Sequence, residues 1–325
     1  MTDRYTRQTT LTEIGVAGQT RLAAATVLVV GAGGLGSSVL QILAGAGVGG
    51  IIIVDHDHVD ISNLHRQPLY NMADIGAPKA EAARDALLRA NPDIVVAAQS
   101  ERLTPVNAAA LIDKASIVID AADNFAVTYM LSDRCLAAGK PLISASVLGL
   151  SGYVGAYCGG APSYRAVFPD VPEVAGSCAS IGVLGSAVAV LGGLQAHLAL
   201  HLLLDCRPSV LGRVVSFDGL TLQFGGFSFA DCPEPEHIAP FIGLADLAPD
   251  DIVIDLRGVA EAPVLPRPGA RRMAPDAVNS LAAAHPGGRI VLCCRSGQRA
   301  LRAAGRLQAM GRHNLALVAL EGGPS

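Results

Sequence analysis

Three glycines spaced as G-x-G-x-x-G, Gly31, Gly33 and Gly36, stand between an apolar β-branched run, Ala25 to Val30, and a helical pattern. Glycine serves there because the turn is tight and the backbone must come close to a phosphate. The helix after the turn offers free N–H groups and the positive end of its dipole to the anion. Gly34 is a further residue without a side chain in the same turn. Asp55 ends the next apolar run, 55 − 36 = 19 positions after the last glycine, where a carboxylate can accept bonds from ribose hydroxyls. This is the chemistry of a nucleotide cradle. The run serves NAD and ATP alike, and a glycine turn without a ligand has the same spelling, so the nucleotide stays open at this point.

The elements that must position these residues can be read from the pattern. Ala25 to Val30, the glycine turn, a helix, then Ile51 to Val54 make strand, turn, helix, strand: a parallel βαβ unit. Pro78 to Ala90 predicts a helix with proline in its first turn. Ile94 to Gln99, Ile117 to Asp120 and Pro141 to Ala145 predict further buried strands. Tyr153 to Tyr157, Val214 to Phe217 and Leu220 to Phe224 read as an antiparallel extension. The fold class is α/β, a Rossmann-like doubly wound sheet with an antiparallel extension. Prolines and acids cluster at Asp231 to Pro240, and a second, shorter pattern comes next: strands at Ile252 to Asp255, Arg289 to Cys293 and Leu315 to Leu320, with a helix at Leu301 to Gln308. The domain reading is 1–235, a linker over 236–248, and a small α/β domain over 249–325.

The residues beyond Asp55 narrow the nucleotide. Asp57-His58-Val59-Asp60-Ile61-Ser62-Asn63-Leu64-His65-Arg66-Gln67, Ile75-Gly76-Ala77-Pro78-Lys79 and Asp120-Ala121-Ala122-Asp123-Asn124 occur in order, after Arg4-Tyr5-Thr6-Arg7-Gln8 at the start. Over roughly residues 4 to 230 the chain resembles the adenylyltransferases of the molybdopterin and thiamine pathways, the MoeB/ThiF (HesA) family, relatives of ubiquitin-activating enzymes. The resemblance implies ATP and Mg as cofactors, and as substrate the C-terminal Gly-Gly carboxylate of a ubiquitin-like sulfur-carrier protein. It implies Arg66 and Lys79 as phosphate-binding residues, Asn63 near the phosphates, Asp123 as the magnesium-linked aspartate, and Arg7 as an arginine supplied by the neighbouring subunit of a homodimer. Those residue types suit the chemistry. A carboxylate attacking an α-phosphate brings two anions together, which cations and a hard metal ion offset. Singly, Arg66 is equally a surface ion pair, Lys79 a solvated side chain and Asp123 a helix N-cap; their order and company carry the resemblance.

The chain departs from that pattern in two places. Where many members bind structural zinc through two C-x-x-C pairs, it has Ser163-Tyr164-Arg165-Ala166 and Cys232-Pro233-Glu234-Pro235. Tetrahedral zinc needs four ligands, so no zinc site is expected. Cys178 matches a cysteine that precedes the long apolar helix and takes part in thioester or persulfide chemistry in some members, but Ser180 stands where an acidic residue is common. His56, His58 and His65 match no standard metal-ligand spacing and read as solvated loop residues. His197 and His201 lack the glutamate of H-E-x-x-H and read as core or interface residues.

A second loop carries chemistry of its own. Cys294-Arg295-Ser296-Gly297-Gln298-Arg299 succeeds a strand and opens a helix, a shape whose successive N–H groups make an anion nest around a thiolate or persulfide. With Asp255-Leu256-Arg257, Pro268-Gly269-Ala270 and Leu320-Glu321-Gly322-Gly323, it resembles single-domain rhodaneses over about residues 248 to 323. That resemblance implies Cys294 as a persulfide carrier and a sulfurtransferase step yielding a thiocarboxylate, with Cys293 buried. Rhodaneses usually continue into a last helix, so a shortened domain is expected here. Gly322-Gly323 belongs to that landmark rather than to a carrier-like tail.

Composition bounds the rest. Of 325 residues 51% are hydrophobic and 16% charged, which supports a large core and argues against global disorder. Net charge is 24 − 28 = −4, with no basic footprint for nucleic acid. Seven scattered cysteines and a polar start imply a reducing cytoplasm rather than a disulfide framework. Ile181 to Leu204 has no charged residue and the length of a membrane span, yet Gln195, His197, His201 and its glycines favour a buried helix. Two rival functions remain: a catalytically silent relative that docks a carrier protein, and an NAD-dependent oxidoreductase, which would leave Lys79, Asp123 and the second loop without a role.

Overall fold

The computed structural model describes residues 3–170, 182–281 and 287–320. Cys178, and the landmark and Gly-Gly residues at 321–325, lie outside them.

Eight strands form the first sheet in the order β3-β2-β1-β4-β5-β6-β7-β8. β1 (Thr26–Val30), β2 (Gly50–Val54), β3 (Val95–Gln99), β4 (Ile117–Asp120) and β5 (Pro141–Leu148) run parallel. β6 (Ser151–Cys158), β7 (Arg213–Asp218) and β8 (Gln223–Ser228) extend it antiparallel. The central strands are buried on both faces, which is why their sequences are continuous apolar runs rather than alternating ones. One face is covered by α3 (Gly34–Ala46), α4 (Lys79–Ala90) and α8 (Gly185–Leu203), packing Val39, Leu40, Leu43, Leu87, Val188 and Leu191 on Val27, Val29, Ile51 and Ile53. Each such side chain contributes about 1.5–3 kcal/mol on burial. The shorter α1 (Thr6–Thr9) and α2 (Gly15–Ala24) precede β1. On the other face lie α5 (Ala108–Asp113) and α6 (Phe125–Ala138).

α8 is apolar and long enough to cross a membrane by length and composition, with mean hydropathy 1.5. Its inner face packs on the sheet. Gln195, fully buried in its middle, donates from Nε2 to the carbonyls of Asp120 (2.6 Å) and Ile143 (3.1 Å). A buried amide placed this way stabilises the strand ends beside the switch in strand order.

The antiparallel extension departs from the sequence reading at its last strand. Leu220 to Leu222 is turn: Asp218 accepts from the Leu220 N–H at 2.9 Å and Leu222 has φ +57°, so β8 begins at Gln223. The short polar Asp side chain closing its own turn outweighs the β propensity of the leucines.

At the positions of the absent zinc pairs the chain is tied by hydrogen bonds. Ser163 donates from its backbone N–H and its Oγ to the two carboxylate oxygens of Glu234, each at 2.6 Å, while Ser163 Oγ caps α7 (Tyr164–Val167). Arg165 makes a bidentate pair with Asp133 at 2.6 and 2.9 Å.

A second, all-parallel sheet has the order β10-β9-β11-β12: β9 (Ile252–Asp255), β10 (Arg271–Arg272), β11 (Ile290–Cys294) and β12 (Leu315–Ala319). α9 (Gln298–Ala309) covers one face through Ala300, Leu301, Ala304 and Leu307. The helix begins three residues before the apolar pattern because Gly297, at φ +80°, turns the chain directly into it. The stretch joining the two sheets is itself built in. Leu317 donates to the Pro240 carbonyl and accepts from the Ile242 N–H, each at 2.9 Å, so Phe241 bridges to the edge of β12. Phe241 is buried in one continuous core with Tyr129, Phe229 and Leu301.

Candidate functional site

The strand order reverses at β1, whose neighbours β2 and β4 lead away in opposite directions, and the crevice beyond their C-terminal ends is where doubly wound sheets bind ligands. The glycine turn fills that position. Gly31 has φ +95° and sits so close to the β4 loop that a Cβ would stand 2.6 Å from the Ala121 carbonyl oxygen. At Gly36 a Cβ would stand 2.0 Å from the Gly31 carbonyl oxygen, so this glycine allows the helix to pack under the turn. Gly33, by contrast, faces open space, with Gln67 Nε2 at 3.7 Å from a notional Cβ. Among the described residues no side chain caps the N-terminus of α3, which leaves its first amides available to an anion.

Three residues hold this turn against its neighbours. Asp55 accepts from the Ala32 N–H (2.7 Å) and the Asp57 N–H (2.8 Å). Tyr70, buried, donates to the Ala32 carbonyl at 2.7 Å and lies 3.2 Å from that of Lys79, joining the turn to the start of α4. Lys79 is buried and its ammonium pairs with Asp57 at 3.1 Å. Burial raises the Asp57 carboxyl, but the Lys79 ammonium overcomes it and holds the group below the ordinary carboxylate range.

Across the crevice, Asp120 ends β4 fully buried, accepting from Ser144 Oγ at 2.8 Å and the Ala122 N–H at 3.2 Å. Burial pushes its carboxyl up to about 6, against the hydrogen bonds of Thr128, Ser144 and Ala122. The loop it anchors presents Asp123, and Asn124 then caps α6 by accepting from the Ala126 N–H at 2.8 Å.

One cavity of 2280 Å³ gathers Gly31, Gly33, Gly34, Asp55, Asn63, Arg66, Lys79 and Asp123. Gly36 lies beneath it, and Arg7 is exposed on α1, outside the lining of its own chain's cavity. The volume exceeds the 300–1,000 Å³ usual for a small-molecule site, leaving room for a second reactant. Sequence reasoning passed over Tyr70 and Gln67. Gln67 lines the cavity at 3% exposure, and its Oε1 is buried with no hydrogen-bond partner among the described residues. Its place in the Asn63–Gln67 run was the available signal.

The same cavity reaches the second sheet, where Arg257, Glu261, Arg295, Ser296 and Gln298 line it. Cys294 ends β11 fully buried, with its Sγ 3.4 Å from the Ala300 N–H. Burial pushes the thiol up, opposed by the N–H groups of Ala300, Gly297 and Arg299 and by the Arg299 charge. Burial outweighs these N–H groups for the bare thiol. Cys293 points into the opposite face of the sheet among Val253, Val291 and Val318. Asp255, fully buried, is held by Arg257 at 2.9 and 3.0 Å.

Fold and crevice together define a Rossmann-like α/β protein with a nucleotide-type cradle. The chain belongs to the ThiF family, whose model matches residues 5–237. It is 46% identical over 224 residues to the adenylyltransferase and sulfurtransferase MOCS3 of Bos taurus, covering 68% of this chain and 49% of that one. Against MOCS3 of Culex quinquefasciatus it is 43% identical over 236 residues, covering 70% and 54%. The chain thus spans about half the length of the curated relatives it matches. Among solved structures it resembles E. coli MccB, with TM-score 0.63, 24% identity and 72% and 74% of the two chains covered. The crystal structure of E. coli MccB with ATP aligns at TM-score 0.62 and 23% identity, covering 70% and 72%. At that identity the likeness concerns the fold.

Proposed function

We propose that this chain binds ATP in the crevice above β1 and uses it to adenylylate the C-terminal Gly-Gly carboxylate of a ubiquitin-like sulfur-carrier protein. A rhodanese-like second domain then delivers sulfur, so that the carrier leaves as a thiocarboxylate. The observation that carries the reading is the convergence of the glycine turn, Asp55, Arg66, Lys79 and Asp123 on one cavity with room for two reactants. The activities for which the MOCS3 relatives are named, adenylyltransferase and sulfurtransferase, and the ATP complex of MccB support it.

In this reading the α3 amides and Lys79 hold the phosphates, and Asp55 takes the ribose hydroxyls. Gln67 supplies its free acceptor to the nucleotide. Arg66 and Lys79 offset charge as the carrier carboxylate attacks the α-phosphorus and pyrophosphate leaves. Asp123 is an oxygen donor on the cavity wall, the ligand type a magnesium ion takes, and that ion would supply further charge neutralisation when bound. Arg7 acts in trans across a homodimer, consistent with its position outside its own chain's cavity. Cys294 carries the persulfide, Cys178 is an assisting thiol, and the reaction is cytoplasmic.

The test is carrier-dependent exchange of labelled pyrophosphate into ATP, with ubiquitin-like proteins ending in Gly-Gly from the same organism. Exchange is expected, falling roughly 10³-fold in Asp123→Ala. No exchange with any such carrier would overturn the reading.

A further inference from the structure

The cations lining the cavity are unequally committed. Lys79 is held by Asp57 at 3.1 Å, Arg66 donates to the Ser62 carbonyl at 3.0 Å, and Arg257 is paired with Asp255. Arg295 lines the same cavity, is exposed, and makes no hydrogen bond or ion pair among the described residues. It is also the residue directly after Cys294.

Its loop is fixed in place. Gly297 is wedged so tightly that an added Cβ would stand 2.7 Å from Ala126 Cβ and 2.7 Å from Phe241 Cε1. Ala126 belongs to the first turn of α6, whose N-cap Asn124 directly follows Asp123. The loop that holds the thiol therefore abuts the element that presents Asp123, and its Arg295 lines the cavity that also holds the nucleotide cradle.

We propose that Arg295 binds the phosphate of the carrier's acyl-adenylate and stabilises AMP as it departs during sulfur transfer, an assignment that rests on the adenylylation reading above. The terminal sulfur of the Cys294 persulfide, as its anion, attacks the acyl carbon. The C–S bond forms, the C–O bond to phosphate breaks, and the electron pair leaves on the phosphate oxygen as AMP. No proton and no change of carbon oxidation state is required. The acyl disulfide left on Cys294 is opened by an external thiol, which releases the thiocarboxylate; a second thiol frees Cys294 and completes a disulfide. A sulfane-sulfur donor reloads the persulfide. The departing phosphate is one ester oxygen from the attacked carbon, and Arg295 is one residue from the nucleophile. A guanidinium matches two phosphate oxygens at once, which an ammonium cannot do.

The experiment uses the full chain with thiosulfate as sulfur donor, dithiothreitol as thiol and ubiquitin-like carriers ending in Gly-Gly. Sulfur-dependent AMP release is followed in single turnover, and pyrophosphate exchange is followed separately. Arg295→Ala should slow AMP release about 100-fold, and about tenfold more than it slows exchange. Arg295→Lys should recover part of the loss, and free guanidinium should partly rescue Arg295→Ala. Persulfide on Cys294, seen by mass spectrometry, should persist in both variants. AMP release within about twofold of the parent, an equal fall in exchange, or loss of persulfide in both variants would each overturn the assignment. A parent chain without exchange removes the adenylylation reading and this assignment with it. Exchange in the parent with unaltered AMP release in Arg295→Ala removes the assignment alone.

Discussion

The turn after β1 and the turn after β11 are built alike and hold different things. Each comes after a buried parallel strand and opens a helix, the first at the strand where its sheet reverses order and the second at the strand beside that point. Each has an aspartate ending the neighbouring strand: Asp55 accepts from the Ala32 amide, and Asp255 is occupied by Arg257. In the first turn the Gly31 and Ala32 amides are taken by Val54 and Asp55, and the amides left to an anion are those that begin α3. In the second the strand ends in Cys294, and the Ala300 amide turns onto its sulfur. In the proposed function the first turn takes an anion from solution, whereas the second would hold one carried on Cys294.

The sharpest break in this comparison is at the two cysteines. Cys294→Ser should abolish carrier thiocarboxylate formation, a fall of roughly 10³-fold or more, whereas Cys293→Ser, on the opposite face of the sheet, should leave most of it. The product is read by intact-mass spectrometry of the carrier, and equal losses in the two variants would show that the sulfur is held elsewhere.

Next come the glycines. Gly36→Ala must push a methyl against the Gly31 carbonyl, 2.0 Å from where the Cβ would stand, while Gly33→Ala meets only Gln67 at 3.7 Å. The first should lower stability by about 4 kcal/mol in denaturant titration and the second by less than about 1 kcal/mol, with its effect appearing as weaker nucleotide binding. Similar stability losses in both variants would contradict the division between packing and phosphate approach.

The smallest effect is a pH dependence. With Asp120 raised from 3.8 to about 6 in the folded chain, the native state holds more protons between those values. The stability this contributes is complete below about pH 4 and lost as pH rises through about 6. The difference amounts to about 3 kcal/mol at about 1.4 kcal/mol per unit. Asp120→Asn should flatten that decline in a comparison of denaturation curves from pH 4 to 7. Parallel curves for parent and variant would mean that Asp120 does not titrate in this range.

Much of this was readable from residue order. A G-x-G-x-x-G run with a carboxylate 19 positions on is dictated locally, by turn geometry and by the amides the carboxylate accepts from, and local constraints survive in sequence. The parallel core strands were readable because both faces are buried. The start of β8 was not, since Asp218 closing its own turn competes with apolar propensity. Nor was the meeting of the two turns in one cavity, which depends on the Gly297 contact with Ala126, residues 171 positions apart (297 − 126). Tyr70 and Gln67 act through distant backbone and empty space, and neither leaves a spacing rule behind.

Phe241 bears on how such a chain can be inherited. Because the passage between the sheets is bonded along the rim of β12, cutting there would bare a strand edge and leave a hydrophobic ring without its socket. Beads on a string can be shuffled one at a time. Two sheets sharing a mortared joint are expected to be gained, lost and tuned as one piece.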